Sequence, residues 1–206
     1  MRRLVRAFGR GLCEAEKGDA TVWGRNVAVT YEKLALLAEA SGFTAWAPLD
    51  IGTIRPRQEV RDVCALNTCG KYGTSWCCPP GCGTLDECLR EMHRYSFGIL
   101  VQTCGEIEDS FDIETMREIE ARQNRHFFSM YRELRKSGTD VLAVGSGGCT
   151  VCETCTYPDA PCRFPDKKAA SMEAYGILVL EVCKANGLRY YYGTDRMSYT
   201  SCFLVR

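Results

Sequence analysis

Two clusters of cysteine constrain this chain more than any other feature. Six cysteines fall between Cys64 and Cys88 and four between Cys149 and Cys162, out of fourteen in 206 residues. In a short secreted chain such density would read as a set of disulfide staples. A chain of this length buries an ordinary core without covalent help, so its thiols need another role. The opening Met1-Arg-Arg-Leu-Val-Arg is basic but lacks the apolar stretch of a signal peptide. No run approaches the roughly 20 apolar residues of a membrane span. The expectation is a reducing cytoplasm, where dense cysteine means metal or catalysis more often than disulfide. With 26 basic and 26 acidic side chains the net charge is zero. That gives no electrostatic reason to expect nucleic acid or an anionic membrane as partner.

The second cluster reads Gly148-Cys-Thr-Val-Cys-Glu-Thr-Cys-Thr-Tyr-Pro-Asp-Ala-Pro-Cys-Arg-Phe-Pro165. Cys149, Cys152 and Cys155 are each two residues apart, and Cys162 follows after six more. One C-x-x-C suits a tetrahedral zinc ion. Two such steps sharing the middle cysteine wrap three thiolates around something larger than one ion, as in bacterial ferredoxins. The spacing favours a [4Fe-4S] cluster with Cys162 at the fourth corner, and an all-cysteine zinc site is the alternative. Ser146, Gly147 and Gly148 lack bulk and are expected to turn backbone N–H groups toward cluster sulfurs. Gly145-Ser-Gly-Gly after a strand also hints at a dinucleotide loop, but the third glycine of that pattern is here Thr150.

In the first cluster Cys64 and Cys69 are four residues apart, a gap also used in plant-type ferredoxins. Cys77 and Cys78 are adjacent, and adjacent side chains of an extended chain point to opposite faces, so one ligand is expected from the two. Pro79 restricts Cys78 to extended conformations and resembles the Cys-Pro ending of bacterial cluster motifs, which selects Cys78. Cys82 is the nearest fourth ligand. Cys88 and Cys104 are further candidates, and an open position would leave an iron able to bind substrate. Cys183 and Cys202 sit in apolar-periodic segments and read as core thiols.

Between these loops the hydrophobic period alternates. Helices are expected over about Tyr31–Ser41, from the Thr84/Glu87 capping box onward, over about Asp112–Lys136, and over about Ser171–Asn186. Strands are expected at Phe97–Thr103 and Asp140–Gly145, and a closing hairpin at Arg189–Gly193 and Ser198–Val205. The order predicts an α/β fold: one domain over 1–206, with helices flanking a parallel or mixed sheet and two cysteine-rich loops beside a C-terminal β-hairpin. Residues 1–12 read as a flexible basic arm. His93 and His126 read as solvated helix residues, and Tyr190, Tyr191 and Tyr192 as sheet surface.

The combination Cys64…Cys69-Gly-Lys-Tyr-Gly…Trp76…Cys78-Pro-Pro, then Gly148-Cys-x-x-Cys-x-x-Cys…Pro161-Cys-Arg-Phe-Pro, then Ser171-Met-Glu-Ala-Tyr-Gly-Ile177 resembles a family. Its members are described as predicted metal-binding proteins, a domain of unknown function (2284) of anaerobic bacteria and archaea. The resemblance runs from about Asp50 to the C-terminus. It implies a metal-binding role for Cys64, Cys69, Cys78, Cys149, Cys152, Cys155 and Cys162, and it supplies no reaction. Cys77 and Cys82 lie outside the family pattern, which leaves the fourth ligand of the first site open. Glu173 reads either as a helix N-terminal acid or as a proton carrier beside the second loop. Three functions follow as expectations. The first is electron transfer through two [4Fe-4S] clusters with a redox partner protein. The second is a cluster enzyme whose open iron activates a small-molecule substrate. The third is a structural zinc protein acting as an interaction module.

Overall fold

The computed structural model describes residues 29–206. Cys13 and the basic arm lie outside the described residues. Helix α1 (Tyr31–Ser41) matches its expected span: Thr30 caps it, and Leu34, Leu37 and Ala38 turn inward. Strand β1 (Ala45–Leu49), a 3₁₀ turn at Ile51–Thr53 and helix α2 (Gln58–Ala65) follow. Helix α3 (Leu85–Met92) opens on the expected capping box, with Thr84 and Glu87 each bonding the other's backbone. Strand β2 (Phe97–Glu106) then leads to α4 (Ile113–Lys136), β3 (Val141–Val144), α5 (Val179–Ala185) and β4 (Arg196–Val205). No helix among the described residues is long and apolar enough to cross a membrane.

The four strands form one sheet in the order β1-β2-β4-β3, and every neighbouring pair is antiparallel. This differs from the expected parallel or mixed sheet in an instructive way. Strands β2 and β3, joined through α4, do run in the same direction. Strand β4 inserts between them, so their parallel relation never becomes a ladder; among the described residues the one parallel pairing is the isolated bridge from Gly145 to Ser171.

Where β2 and β4 are covered on both faces, their paired segments Ile99–Val101 and Cys202–Val205 are unbroken apolar runs. One face carries Ile99, Val101, Phe203 and Val205 against α1 and α4, where Phe127, Met130 and Leu134 meet them. The opposite face carries Leu100, Cys202 and Leu204 against Met92, Met172, Tyr175, Val182 and Cys183. Cys183 and Cys202 are fully buried there, as core thiols should be.

The C-terminal hairpin does not form. Strand β2 pairs with all ten residues of β4, while the 189–193 segment bends over the sheet face. Tyr192 donates its hydroxyl to Gln102 Oε1 at 2.9 Å, and Ser198 Oγ donates to the Tyr190 carbonyl. The expected helix over Ser171–Asn186 is also broken. Its start is a 3₁₀ turn, Glu173–Tyr175, ended by Gly176 at φ 72°. A side chain at Gly176 would meet Leu85 Cδ2 at 2.5 Å and the backbone of Arg57, so the turn sits tight under α2 and α3.

His126 is half-buried rather than solvated. Its Nδ1 is hydrogen-bonded to Thr103 Oγ1 at 2.9 Å, and its ring meets Phe43 edge-on. Burial, with Arg122 and Arg125 nearby, holds the imidazole below its usual pKa. His93 is exposed at the C-cap of α3. The His126 ring also fixes the end of α1, because a Cβ on Gly42, whose φ is 97°, would stand 2.8 Å from His126 Nε2. Gly42→Ala is therefore expected to lower stability by at least about 1–2 kcal/mol, the cost of placing an L side chain in the left-handed region. Gly138 has a similar φ of 78° but open space around it. Gly138→Ala should show the backbone part alone in parallel urea titrations; equal losses for the two variants would remove the role given to His126.

Candidate metal centre

Helix α2 and the loop after it carry the first group of thiols. Cys64 sits in the last turn of α2. The chain then turns through Asn67, which adopts a left-handed φ of 54°, to the exposed Cys69. The Asn67 side chain accepts from Tyr72 N–H at 3.0 Å and holds the loop's return. Further on, Cys82 N–H donates to Cys78 O at 3.1 Å in the tight bend before α3. This loop rests on the 3₁₀ turn at 173–175: the Cys64 thiol lies 4.0 Å from Glu173 O, and the Cys82 thiol donates to Ala174 O at 3.5 Å. Glu173, weighed as a proton carrier beside the second loop, is exposed and stands beside Cys64 of the first.

The adjacent thiols diverge. Cys78 lies among Cys69, Cys64 and Ser75, and burial pushes its thiol up. Cys77 instead meets Cys149 of the second loop in a thiol–thiol hydrogen bond that raises the Cys77 pKa. Cys149 gains from the same bond. Helped by the N–H groups of Val151 and Ala169 and by the charge of Lys168, its thiol is pulled down to about 6. The expected donors at Ser146, Gly147 and Gly148 are not the ones that reach this sulfur. Gly148 serves by its lack of a side chain, since a Cβ there would crowd Lys71 and stand 3.8 Å from Cys78 Sγ.

Cys82 is hydrogen-bonded to Cys88, which raises the Cys82 pKa and lowers that of Cys88. Cys88 is 1 % exposed and accepts from Arg61 Nη2 at 3.3 Å. Cys104 stands elsewhere, at the far end of β2, where its N–H donates to Thr44 Oγ1 and its thiol lies beside Tyr192. It is too remote to complete the first group.

Contacts independent of any thiol bind the two loops together. Trp76 Nε1 donates to Ala160 O at 3.0 Å, and its ring meets Tyr157 edge-on with centroids 4.9 Å apart. Within the second loop Thr156 Oγ1 donates to Pro161 O and Arg163 to Thr154 O, each at 2.8 Å. Cys152, Cys155 and Cys162 lie along this braced turn, all half-exposed. Between the first loop and β3 lies a cavity of about 230 Å³, lined by Trp76, Cys77, Cys82, Glu91, Lys168 and Tyr175 among others. Tyr175 donates its hydroxyl to Glu91 Oε2 at 2.5 Å. Burial, then that carboxylate, drives the phenol far above its usual pKa.

None of the thirteen described cysteines is in a disulfide. Among the described residues, no three His, Cys, Asp or Glu side chains converge closely enough to hold one metal ion. The donor set nonetheless has the right chemistry. Soft thiolates select zinc, copper(I) and iron-sulfur clusters over hard cations. The first loop also sets a buried guanidinium, Arg61, among thiols able to become anionic. Spacing drew attention to the cysteines but missed Arg61 and the Cys77–Cys149 contact, because neither leaves a mark in the interval between motif residues.

Comparison with curated proteins and with solved structures found no match. The family described as "Predicted metal-binding protein (DUF2284)" matches residues 47–205, which run from within β1 to the end of β4 and include both cysteine loops. The chain belongs to that family.

Proposed function

We propose that this protein holds two [4Fe-4S] clusters and transfers electrons with a redox partner in a reducing cytoplasm. Cys64, Cys69, Cys78 and Cys82 hold the first cluster, and Cys149, Cys152, Cys155 and Cys162 the second. The observation that carries this reading is the side-by-side placement of the two loops, clasped by Trp76, Tyr157 and Ala160. Electron transfer needs centres close to each other and to the surface, and thiols of both loops are partly exposed.

Anaerobic purification with iron, sulfide and zinc analysis tests it. About eight irons per chain with matching sulfide is the expected result. Stoichiometric zinc without sulfide would instead make the protein a structural zinc module. A second reading is favoured by the cavity beside Cys77 and Cys82, which is large enough for a small molecule. In that reading Cys82 leaves one iron of the first cluster open, and the protein is a cluster-dependent enzyme. Cys82→Ala separates the two. Loss of the first cluster's absorption supports a four-thiolate electron carrier, while an unchanged spectrum that shifts on adding a small thiol supports the open iron.

A further inference from the structure

Arg61 lies on α2, three residues before Cys64, and is only 9 % exposed. Its Nη1 donates to Gly83 O at 3.0 Å and its Nη2 to Cys88 Sγ at 3.3 Å, while its Nε is buried without a partner. Among the described residues no carboxylate pairs with it. A guanidinium does not lose its proton in proteins, so burial cannot neutralise it as it neutralises a lysine or a carboxylate. A buried charge left uncompensated is strongly unfavourable. The groups close enough to feel the Arg61 charge are the thiols of Cys64, Cys82 and Cys88. The acids around this group are otherwise placed: Glu173 is exposed beside Cys64, Glu91 accepts from Tyr175, and Glu87, close to Gly83, accepts from Thr84 N–H and Oγ1.

We infer that Arg61 is the counter-charge of an anionic thiolate–metal centre in the first loop, and that Cys88 is a positioning sulfur linking Arg61 to the ligand Cys82. This rests on the metal-binding reading above but not on the identity of the metal. A [4Fe-4S] cluster held by four thiolates and a zinc ion held by four thiolates are both net anions. Either would supply the negative charge that this buried cation lacks. Cys82 is the inner member of the pair because it also neighbours Cys78, whereas Cys88 is packed behind it in the core. When Cys82 binds metal it gives up its proton, and the Cys88 S–H, which in this structure donates to Cys82 O at 3.5 Å, turns to the Cys82 sulfur while Cys88 still accepts from Arg61. Outer hydrogen bonds and charges of this kind tune affinity and potential rather than form the bond to metal.

The test compares wild type with Arg61→Gln, Arg61→Lys, Cys88→Ala and Cys82→Ala, each purified anaerobically with the metal it retains. Three quantities are read: metal per chain, the rate of metal loss to excess EDTA, and, where iron is bound, the midpoint potential of the first centre. Arg61→Gln is expected to lose first-centre metal at least tenfold faster than wild type, with Arg61→Lys in between because it keeps the charge but not the fork geometry. The potential of Arg61→Gln should move negative, since a lost cation disfavours the more negative reduced state. Cys88→Ala should keep wild-type metal content and shift the potential. Wild-type loss rate and potential in Arg61→Gln overturn the inference, and so does loss of the first-centre metal from Cys88→Ala with retention in Cys82→Ala. Circular dichroism checks the fold of each variant; if Arg61→Gln is unfolded, Arg61→Lys and Cys88→Ala carry the same readouts. Wild type lacking metal in the first loop overturns the proposed function itself, whereas metal present but indifferent to Arg61 overturns this inference alone.

Discussion

On the two-cluster proposal, Cys78→Ala is expected to cut the iron content by about half, to about four irons per chain, and Cys155→Ala to remove the other half. Position singles out Cys78. It lies beside Cys64, Cys69 and Cys82, so its loss takes away a member common to the group. Alanine there leaves the loop's path in place, because Cys82 N–H still finds the residue-78 carbonyl and Trp76 still bonds Ala160. Metal analysis on both variants, beside their circular dichroism, reads the result. The informative failure is loss of all iron from either one. Cys149 lies close to both Cys77 and Cys78, and such a result would mean that the two loops share a single centre through that thiol.

The second large effect concerns the sheet rather than the site. Phe203 is fully buried in β4, opposite Ile99 of β2 and Ala143 of β3, and stacks on Phe127 of α4 with ring centroids 5.0 Å apart. Phe203→Ala removes the ring on which α4 and three strands converge, so the gap has no neighbour free to fill it. A loss of about 3–5 kcal/mol is expected, against a total stability of about 5–15 kcal/mol for an ordinary domain. Tyr191→Ala is the contrast: that side chain is 65 % exposed, and its removal should change stability by less than about 0.5 kcal/mol. A urea midpoint for Phe203→Ala close to that of Tyr191→Ala would contradict the two-faced core described above.

Where local chemistry decides an element, the sequence was sufficient. Thr84 and Glu87 placed the start of α3, and the helical period placed α1 and α4. The buried face of α4 runs from Ile119 to Leu134 and does not reach its first turn, where Ile113 is 51 % exposed. Long-range competition decided the rest. Strand β1 went unread because Pro48 argues against a strand, yet an edge position tolerates it. Helix α2 went unread because its few apolar residues follow Pro56 and leave most of its surface in solvent. The hairpin expected at the C-terminus lost to β2, which offers ten pairs to the same strand. For the site, the spacing of Cys149, Cys152 and Cys155 was legible, while the partner of each thiol was not. Partner choice depends on how loops 70 or more residues apart in the chain are laid against each other, as with Cys77 and Cys149.

Strand β4 is the last of the four to be synthesised, and it occupies the middle of the sheet. Strands β2 and β3 have no edge in common until it arrives, so the barrier to assembly includes a long loop closure rather than a succession of local ones. A growing chain on the ribosome thus displays both cysteine loops before the platform beneath them exists. Cofactor insertion into a finished scaffold and insertion into nascent chain are then different events, separated in time by the emergence of residues 196–205.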